Sequence, residues 1–278
     1  MRRLIHGVRT NVRHKLLVLV LFPILLIMPI ALVVAIYWGS HYSSEQLRIK
    51  VNTDLSVSHD IFRRIREDYL NRLGRLAESY SLNNALETGS GGAVNRQLEQ
   101  LRDNAGFAYL YLLGPQGRRL FTDAGASIRG VSSPSLLAAT QGMPRVGVEI
   151  FSPEQLAAIS PELASQVRLR LLPTPRARPT ERDFEDRGML IRALYPVKSS
   201  RGEVVAILDG GVLLNGNFEF VDTIRDLVYG KGSLLEGSIG TVTVFLDDVR
   251  ISTNVPLRPG ERALGTRVSE EVRNHVLD

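Results

Sequence analysis

The spacing of hydrophobic positions changes three times along this chain, and each change marks a different kind of element. From Leu16 to Tyr37 there is no spacing: LLVLVLFPILLIMPIALVVAIY runs for 22 residues without a charged side chain. A helix needs about 20 apolar residues to cross the hydrocarbon core of a bilayer. A lone segment satisfies its backbone there only as a helix, and kinks at Pro23 and Pro29 are tolerated. The run is too long for a signal-peptide core and no small-x-small cleavage site follows Tyr37, so an uncleaved transmembrane helix is predicted over 16–37.

From Ser43 to about Leu86 the pattern becomes periodic. Apolar residues fall at Leu47, Val51, Leu55, Phe62, Ile65, Tyr69, Leu73, Leu76 and Tyr80. Those steps of three, four and seven give a helix with one apolar stripe. Gly74 is nearly the only breaker, so one long helix is predicted over 40–88. Its stripe either packs on the rest of the domain or pairs with a second copy, and the two are compatible.

After Gly89-Ser90-Gly91-Gly92 the period shortens. These glycines read as a turn and not a phosphate cradle, which needs a preceding strand and a Lys-Ser/Thr end. A short helix, Val94 to Asn104, follows. Then come three hairpins: Phe107–Leu113 answered by Arg119–Thr122, Met189–Tyr195 by Glu203–Asp209, and Thr241–Leu246 by Arg250–Val255 around Asp247-Asp248. The insert between the first two is read as less regular. It holds helices near 133–140 and 153–166 and a proline-rich arm, Leu172–Pro179, that must be exposed or extended. Phe218–Tyr229 reads as a helix. A last helix starts at Ser269, with Glu270 and Glu271 favourable in its first turn. The fold class is α+β: an N-terminal transmembrane helix, a long helix, then tandem antiparallel sheets with flanking helices, the second sheet incomplete.

Charge adds orientation. The net charge is +5. Arg2, Arg3, Arg9, Arg13 and Lys15 precede the span and no acidic residue appears before Glu45, which predicts a cytoplasmic N-terminus (1–15) and an exported body (40–278). Removing those five from 34 Lys+Arg leaves 29, against 29 Asp+Glu. The exported body is therefore neutral, and nothing in it points to nucleic acid. The absence of cysteine rules out disulfides, zinc–thiolate sites and thiol nucleophiles.

No set of catalytic residues emerges. His59-Asp60 lies on a helix outside the cell with no nucleotide-binding motif. The other histidines lack metal-ligand spacing. Asp247-Asp248 between two strands reads as a turn, and no Gly-x-Ser-x-Gly elbow occurs. Neither cofactor nor metal is expected. The candidate binding residues are Tyr109, Tyr111, Arg192, Tyr195 and Asp209. Tyr109 and Tyr111 are two apart and share a strand face. Arg192 is a charge inside an apolar strand, suited to a ligand carboxylate; the alternative is that it pairs with Asp209 across neighbouring strands. By alternation Tyr195 lies on the face opposite Arg192, unless a bulge intervenes.

Span, long helix and tandem small sheets together resemble double Cache periplasmic sensor domains of bacterial receptors. Val205-Ala-Ile-Leu-Asp-Gly-Gly-Val-Leu-Leu-Asn215 resembles the end of a membrane-distal Cache module. Gly240-Thr-Val-Thr-Val-Phe-Leu-Asp-Asp-Val-Arg-Ile-Ser-Thr-Asn-Val255, with Gly260-Glu-Arg-Ala-Leu-Gly-Thr-Arg-Val268, resembles the opening of a second module. The resemblance implies a distal module over 89–217 and a linking helix with the start of a proximal module over 218–278, an α/β sensor cut short at Asp278. It also implies capture of a small polar ligand, an amino acid or a carboxylate, outside the inner membrane. Signalling would run through a homodimer, most often to a histidine kinase and otherwise to a chemoreceptor or cyclic-dinucleotide enzyme. In amino-acid sensors of this kind an acidic residue at the position of Asp209 receives the ligand ammonium. The different class of reading is a membrane-anchored periplasmic enzyme or assembly protein.

Overall fold

The computed structural model describes residues 12–121, 130–230 and 240–277. Most of the expected cytoplasmic segment, Thr122 of the first hairpin and Asp278 lie outside them. The chain divides into two compact units, Met1–Val57 and Ser58–Asp278.

The first helix, α1, spans Val12–Ala77. In the first unit, large apolar side chains from Leu19 to Val34 are exposed, as are Leu55 and Val57. Side chains at 16–18, 23, 35, 36 and 38–51 lie outside the described set. Among the described residues no helix is long and apolar enough to cross a membrane.

The second unit is a three-layer α/β body. Where one helix was expected to reach Leu86, α1 stops at Ala77 and α2 spans Tyr80–Glu87. Ser79 makes the break: its hydroxyl donates to the Leu76 carbonyl and accepts from the Leu82 N–H, which caps α2. After α3 (Gly91–Ala105) comes β1 (Tyr109–Leu113), then α4 (Pro134–Thr140), β2 (Arg145–Phe151), α5 (Pro153–Ile159) and α6 (Pro161–Val167). The expected single helix over 153–166 is thus two. Ser152 and Ser160 each cap a helix with proline in its first turn, an arrangement favoured at a start and incompatible with a helix interior.

Short β3 (Leu169–Arg170) and β4 (Phe184–Glu185) lead to long β5 (Gly188–Lys198) and β6 (Val204–Leu213). The main sheet is antiparallel with order β1-β6-β5-β2. The expected hairpin partner of β1 is reduced to one bridge, Leu113 to Arg119, while β6 pairs along the whole of β1. β2 was not anticipated as a strand. β6 also continues through Gly210-Gly211, so Asp209 sits in mid-strand and not at its end.

One sheet face packs on helices α1 to α3 through Leu73, Leu82, Val94, Leu98, Leu110, Leu112, Ile191, Ala193 and Leu208. Helix α7 (Phe218–Val228) joins that core with Phe220, Val221 and Ile224. The stripe from Ile61 to Leu76 therefore packs on its own domain. The other face meets α4, α5 and α6 through Leu136, Ala139, Leu156, Leu163 and Val167.

The C-terminal part is a small hairpin, β7 (Thr243–Leu246) with β8 (Val249–Thr253), followed by β9 (Pro256–Arg258), β10 (Glu261–Arg262) and α8 (Glu270–Val276). The arm 172–179 exposes its prolines, yet its polar atoms hold this part. The Thr174 hydroxyl accepts from the Arg267 N–H, and the Arg176 and Arg178 carbonyls accept from the Glu270 N–H and the Arg267 guanidinium.

Candidate functional site

Strand register assembles the site. β5 and β6 place Arg192 opposite Gly211 and Leu194 opposite Asp209. β1 sets Tyr109 opposite Gly211 and Tyr111 opposite Asp209. In antiparallel pairing, opposed residues share a face, so Tyr109, Tyr111, Arg192 and Asp209 all lie on the side covered by α4 to α6. β2 adds Glu149, two residues from the partner of Arg192. Gly211 is required there, since a Cβ would run into the Tyr109 ring.

Arg192 has no exposed surface. Its Nε donates to Asp209 Oδ1 at 2.9 Å and its Nη2 to Asp209 Oδ2 at 2.6 Å, a bidentate pair. Nη1 donates to Glu149 Oε2 at 2.9 Å and to Ser133 Oγ at 3.1 Å. Ser133 donates in turn to Glu149 Oε1, and the Tyr109 hydroxyl donates to Asp209 Oδ1 at 3.2 Å. Burial by itself would favour a neutral Arg192, but the charge and hydrogen bonds of Asp209 outweigh it and hold the guanidinium charged. Burial first, then the Asp209 charge, push the Tyr109 phenol well above its ordinary value. Tyr109 is thus a neutral donor, and one cation meets two carboxylates.

The register brings four of the five candidate residues together. Tyr111 stacks on Tyr109 with centroids 5.2 Å apart, donates to the Ile159 carbonyl, and carries the Arg119 guanidinium 3.5 Å above its ring. The pairing alternative for Arg192 and Asp209 is the one the structure contains. Tyr195 lies on the opposite face, where its hydroxyl donates to Glu78 Oε1 at 2.8 Å. Glu149 and Ser133 were not among the candidates. The alternation Val146-Gly-Val148-Glu-Ile150 is a strand signal that points to Glu149; Ser133 carried only a cap signal.

Among the described residues no acidic and histidine cluster could hold a metal ion. Asp247-Asp248 does form the turn between β7 and β8, with Asp247 at a left-handed φ of 53°. Each carboxylate also meets an arginine: Asp247 that of Arg187 at 2.7 Å and Asp248 that of Arg267 at 2.6 Å. His59 is exposed.

No curated protein matches the chain. Among solved structures, the periplasmic domain of Vibrio cholerae LuxQ is 15% identical, with 74% of this chain and 80% of that one covered and a TM-score of 0.44. The E. coli DcuS sensor domain is 13% identical over 59% of this chain and 98% of that one, with a TM-score of 0.34. The V. cholerae histidine kinase DctB sensor domain is 15% identical over 81% and 74%, with a TM-score of 0.37. The stretch from the end of β6 through α8 includes the Gly240–Val255 sequence that carried the Cache resemblance, and it is here that residues 212–278 match the family model described as single cache domain 3.

Proposed function

We propose that this chain is the extracytoplasmic, ligand-sensing input region of a membrane signal-transduction receptor. The observation that carries the reading is the match of residues 212–278 to a single cache domain. The apolar run 16–37 supplies the anchor: its described side chains are exposed, and a continuous apolar helix surface belongs against lipid. Leu55, exposed further along α1, supplies a seam for a second copy. On this reading 89–217 is the distal module, 218–278 opens the proximal one, and the output is a two-component histidine kinase.

The ligand of the distal module carries an ammonium group. Four of the five Arg192 N–H groups go to Asp209, Glu149 and Ser133, so its charge is already met by two carboxylates and suits a ligand carboxylate poorly. The cluster of one guanidinium and two carboxylates is net negative, and Glu149, with its side chain 17% exposed, is the carboxylate an incoming cation meets.

Three experiments test this. Alkaline phosphatase fused after Leu86 in a Gram-negative host is expected to be active; an expressed but inactive fusion places the body in the cytoplasm and sinks the sensor reading. Sedimentation of the anchored protein in detergent is expected to show a dimer that Leu55→Glu weakens, and a monomer before mutation removes the seam. In a ligand screen, amines are expected to raise the melting temperature and Glu149→Gln to abolish the rise; a rise that Glu149→Gln leaves unchanged clears Glu149 of contact.

A further inference from the structure

The main sheet ends at β2 on one side and at β1 on the other. The β1 edge is covered by the chain that follows it: the Leu120 N–H donates to the Leu112 carbonyl, and Arg119 bridges Leu113. Among the described residues nothing comparable covers β2. Register shows which of its groups are free. The Leu214 N–H donates to the Met189 carbonyl, so Met189 turns its main chain toward β6. Main-chain groups alternate sides along a strand. Ile191 and Ala193 therefore also face β6, and Leu190, Arg192 and Leu194 face β2. These three pair with Glu149, Gly147 and Arg145, whose N–H and C=O groups are thereby spent on β5. Those of Val146, Val148 and Ile150 point out of the sheet, and among the described residues they meet no other segment.

Natural proteins blunt such an edge with a charge, a proline or a bulge. Here the pairing of β2 with β5 is unbroken, Pro144 stops short of the strand, and Val148 and Ile150 are 40% and 48% exposed. The edge is also self-complementary. Two copies of β2 related by a two-fold axis at Val148 pair antiparallel, with Val148 opposite Val148 and Val146 opposite Ile150. That register alone sets all three outward residues against one another. On the open face it joins β-branched side chains, a favourable cross-strand pairing. On the other face Gly147 falls opposite Glu149 of the second copy. A Cβ at Gly147 would meet nothing within 4 Å, so that space is open. Arg145 is exposed and meets no carboxylate among the described residues, only Met143 Sδ at 3.9 Å. It lies diagonal to Glu149 of the second copy, a separation that long side chains span.

We propose that β2 is a docking edge for the β2 of a second copy, so that one sheet continues across the two-fold axis. The contact is separate from the helical seam at Leu55 and rests on neither that seam nor the ligand reading.

The test is disulfide trapping of the full chain in detergent micelles under mild oxidation. The chain has no cysteine, so single substitutions report contacts without background. Residues opposed in a hydrogen-bonded antiparallel pair have Cα atoms about 5.5 Å apart, within disulfide reach. Val148→Cys is expected to give a linked dimer, and Val205→Cys, also 40% exposed, to stay monomeric. Val146→Cys and Ile150→Cys are each expected to stay monomeric alone, since the register offsets like residues by roughly 13 Å along the strand, and to link when mixed. The Val148→Cys dimer is expected to persist when Leu55→Glu is added. A Val148→Cys yield no greater than that of Val205→Cys overturns the edge contact, and self-linking of Ile150→Cys at the Val148→Cys level overturns the register. Loss of the dimer with Leu55→Glu makes it a by-product of the seam and overturns the separate interface. Oxidation in intact membranes that links Val148→Cys to a different protein, with no linked pair of copies, gives the edge to a foreign strand and overturns the second copy as its occupant.

Discussion

Arg192 has no exposed surface and meets carboxylates on both neighbouring strands. Arg192→Ala leaves Asp209 buried without its cation, and breaking a buried pair costs about 3–5 kcal/mol. Arg192→Met with Asp209→Leu removes both charges and is expected to lose less than the two single changes summed, which urea unfolding can read. Additive losses would show that the two side chains do not act as a pair. Glu185 gives a pH-dependent counterpart. Its burial raises the carboxyl's pKa, but hydrogen bonds from the Arg187 side chain and backbone, with the charges of Arg187 and Arg182, outweigh that and hold it below 4.5. A folded-state pKa below the unfolded one contributes stability at pH values above the unfolded value and loses it as pH falls through the folded value. Glu185→Gln is therefore expected to flatten the loss of stability below about pH 4.5, measured by urea unfolding at stepped pH. An equally steep acid limb in the variant would assign the loss to other carboxylates.

At the scale of elements, Gly74 decides how closely α1 approaches β5. A Cβ there would stand 2.9 Å from Tyr195 Cε2 and 3.1 Å from Cζ. Helix propensity favours Gly74→Ala by up to about 1 kcal/mol, whereas overpacking a rigid ring costs about 1–3 kcal/mol. Gly74→Ala is expected to destabilise in the native background and to stabilise once Tyr195→Leu has cleared the ring. A stabilising Gly74→Ala in the native background would show that the helix is free to move away. The same glycine illustrates what was legible in the sequence: its place as the one glycine between Ser43 and Leu86 was plain, but the reason for it lies on a strand more than a hundred residues away. The hairpins β5–β6 and β7–β8, the helices over 134–140 and 218–228, and the face shared by Tyr109 and Tyr111 were local patterns and appeared as expected. The partner of β1 was not, because a Gly-Pro-Gln-Gly turn signals a reversal without saying which strand will occupy the edge. The Arg192–Asp209 pair was legible as an alternative only, since strand register, not composition, decides whether two charges meet. Two helices over 153–167 were written as Ser-Pro-Glu at 152 and again at 160, a repeated start signal read as one helix.

At the scale of the molecule, the C-terminal hairpin depends on the arm that precedes β5. A two-stranded hairpin alone is at best marginally stable in water, and β7–β8 forms its own two-stranded sheet. What holds it is a small apolar cluster, Leu246, Val249 and Ile251 against Leu169, Leu171 and Met189, and the arginines at its turn. Arg267 ties its turn to the arm: its guanidinium donates to Asp248 at 2.6 Å and to the Arg178 carbonyl at 2.6 Å, and its backbone N–H to Thr174. Hydrogen bonds to charged groups contribute about 1.5–3 kcal/mol each, and about 1.4 kcal/mol is tenfold in an equilibrium. Arg267→Ala should therefore open the hairpin locally, with amide exchange at 243–253 accelerated roughly ten- to a hundredfold on those figures. Exchange in β5 and β6 should stay as it was, because the Arg192 cluster and the core against α1 do not involve Arg267. Equal acceleration in both sheets would mean that they open as one body and that the arm is not a separable joint. No acceleration in 243–253 would mean that the apolar cluster, with the contacts of Asp247, Ile251 and Ser252, holds the hairpin without Arg267.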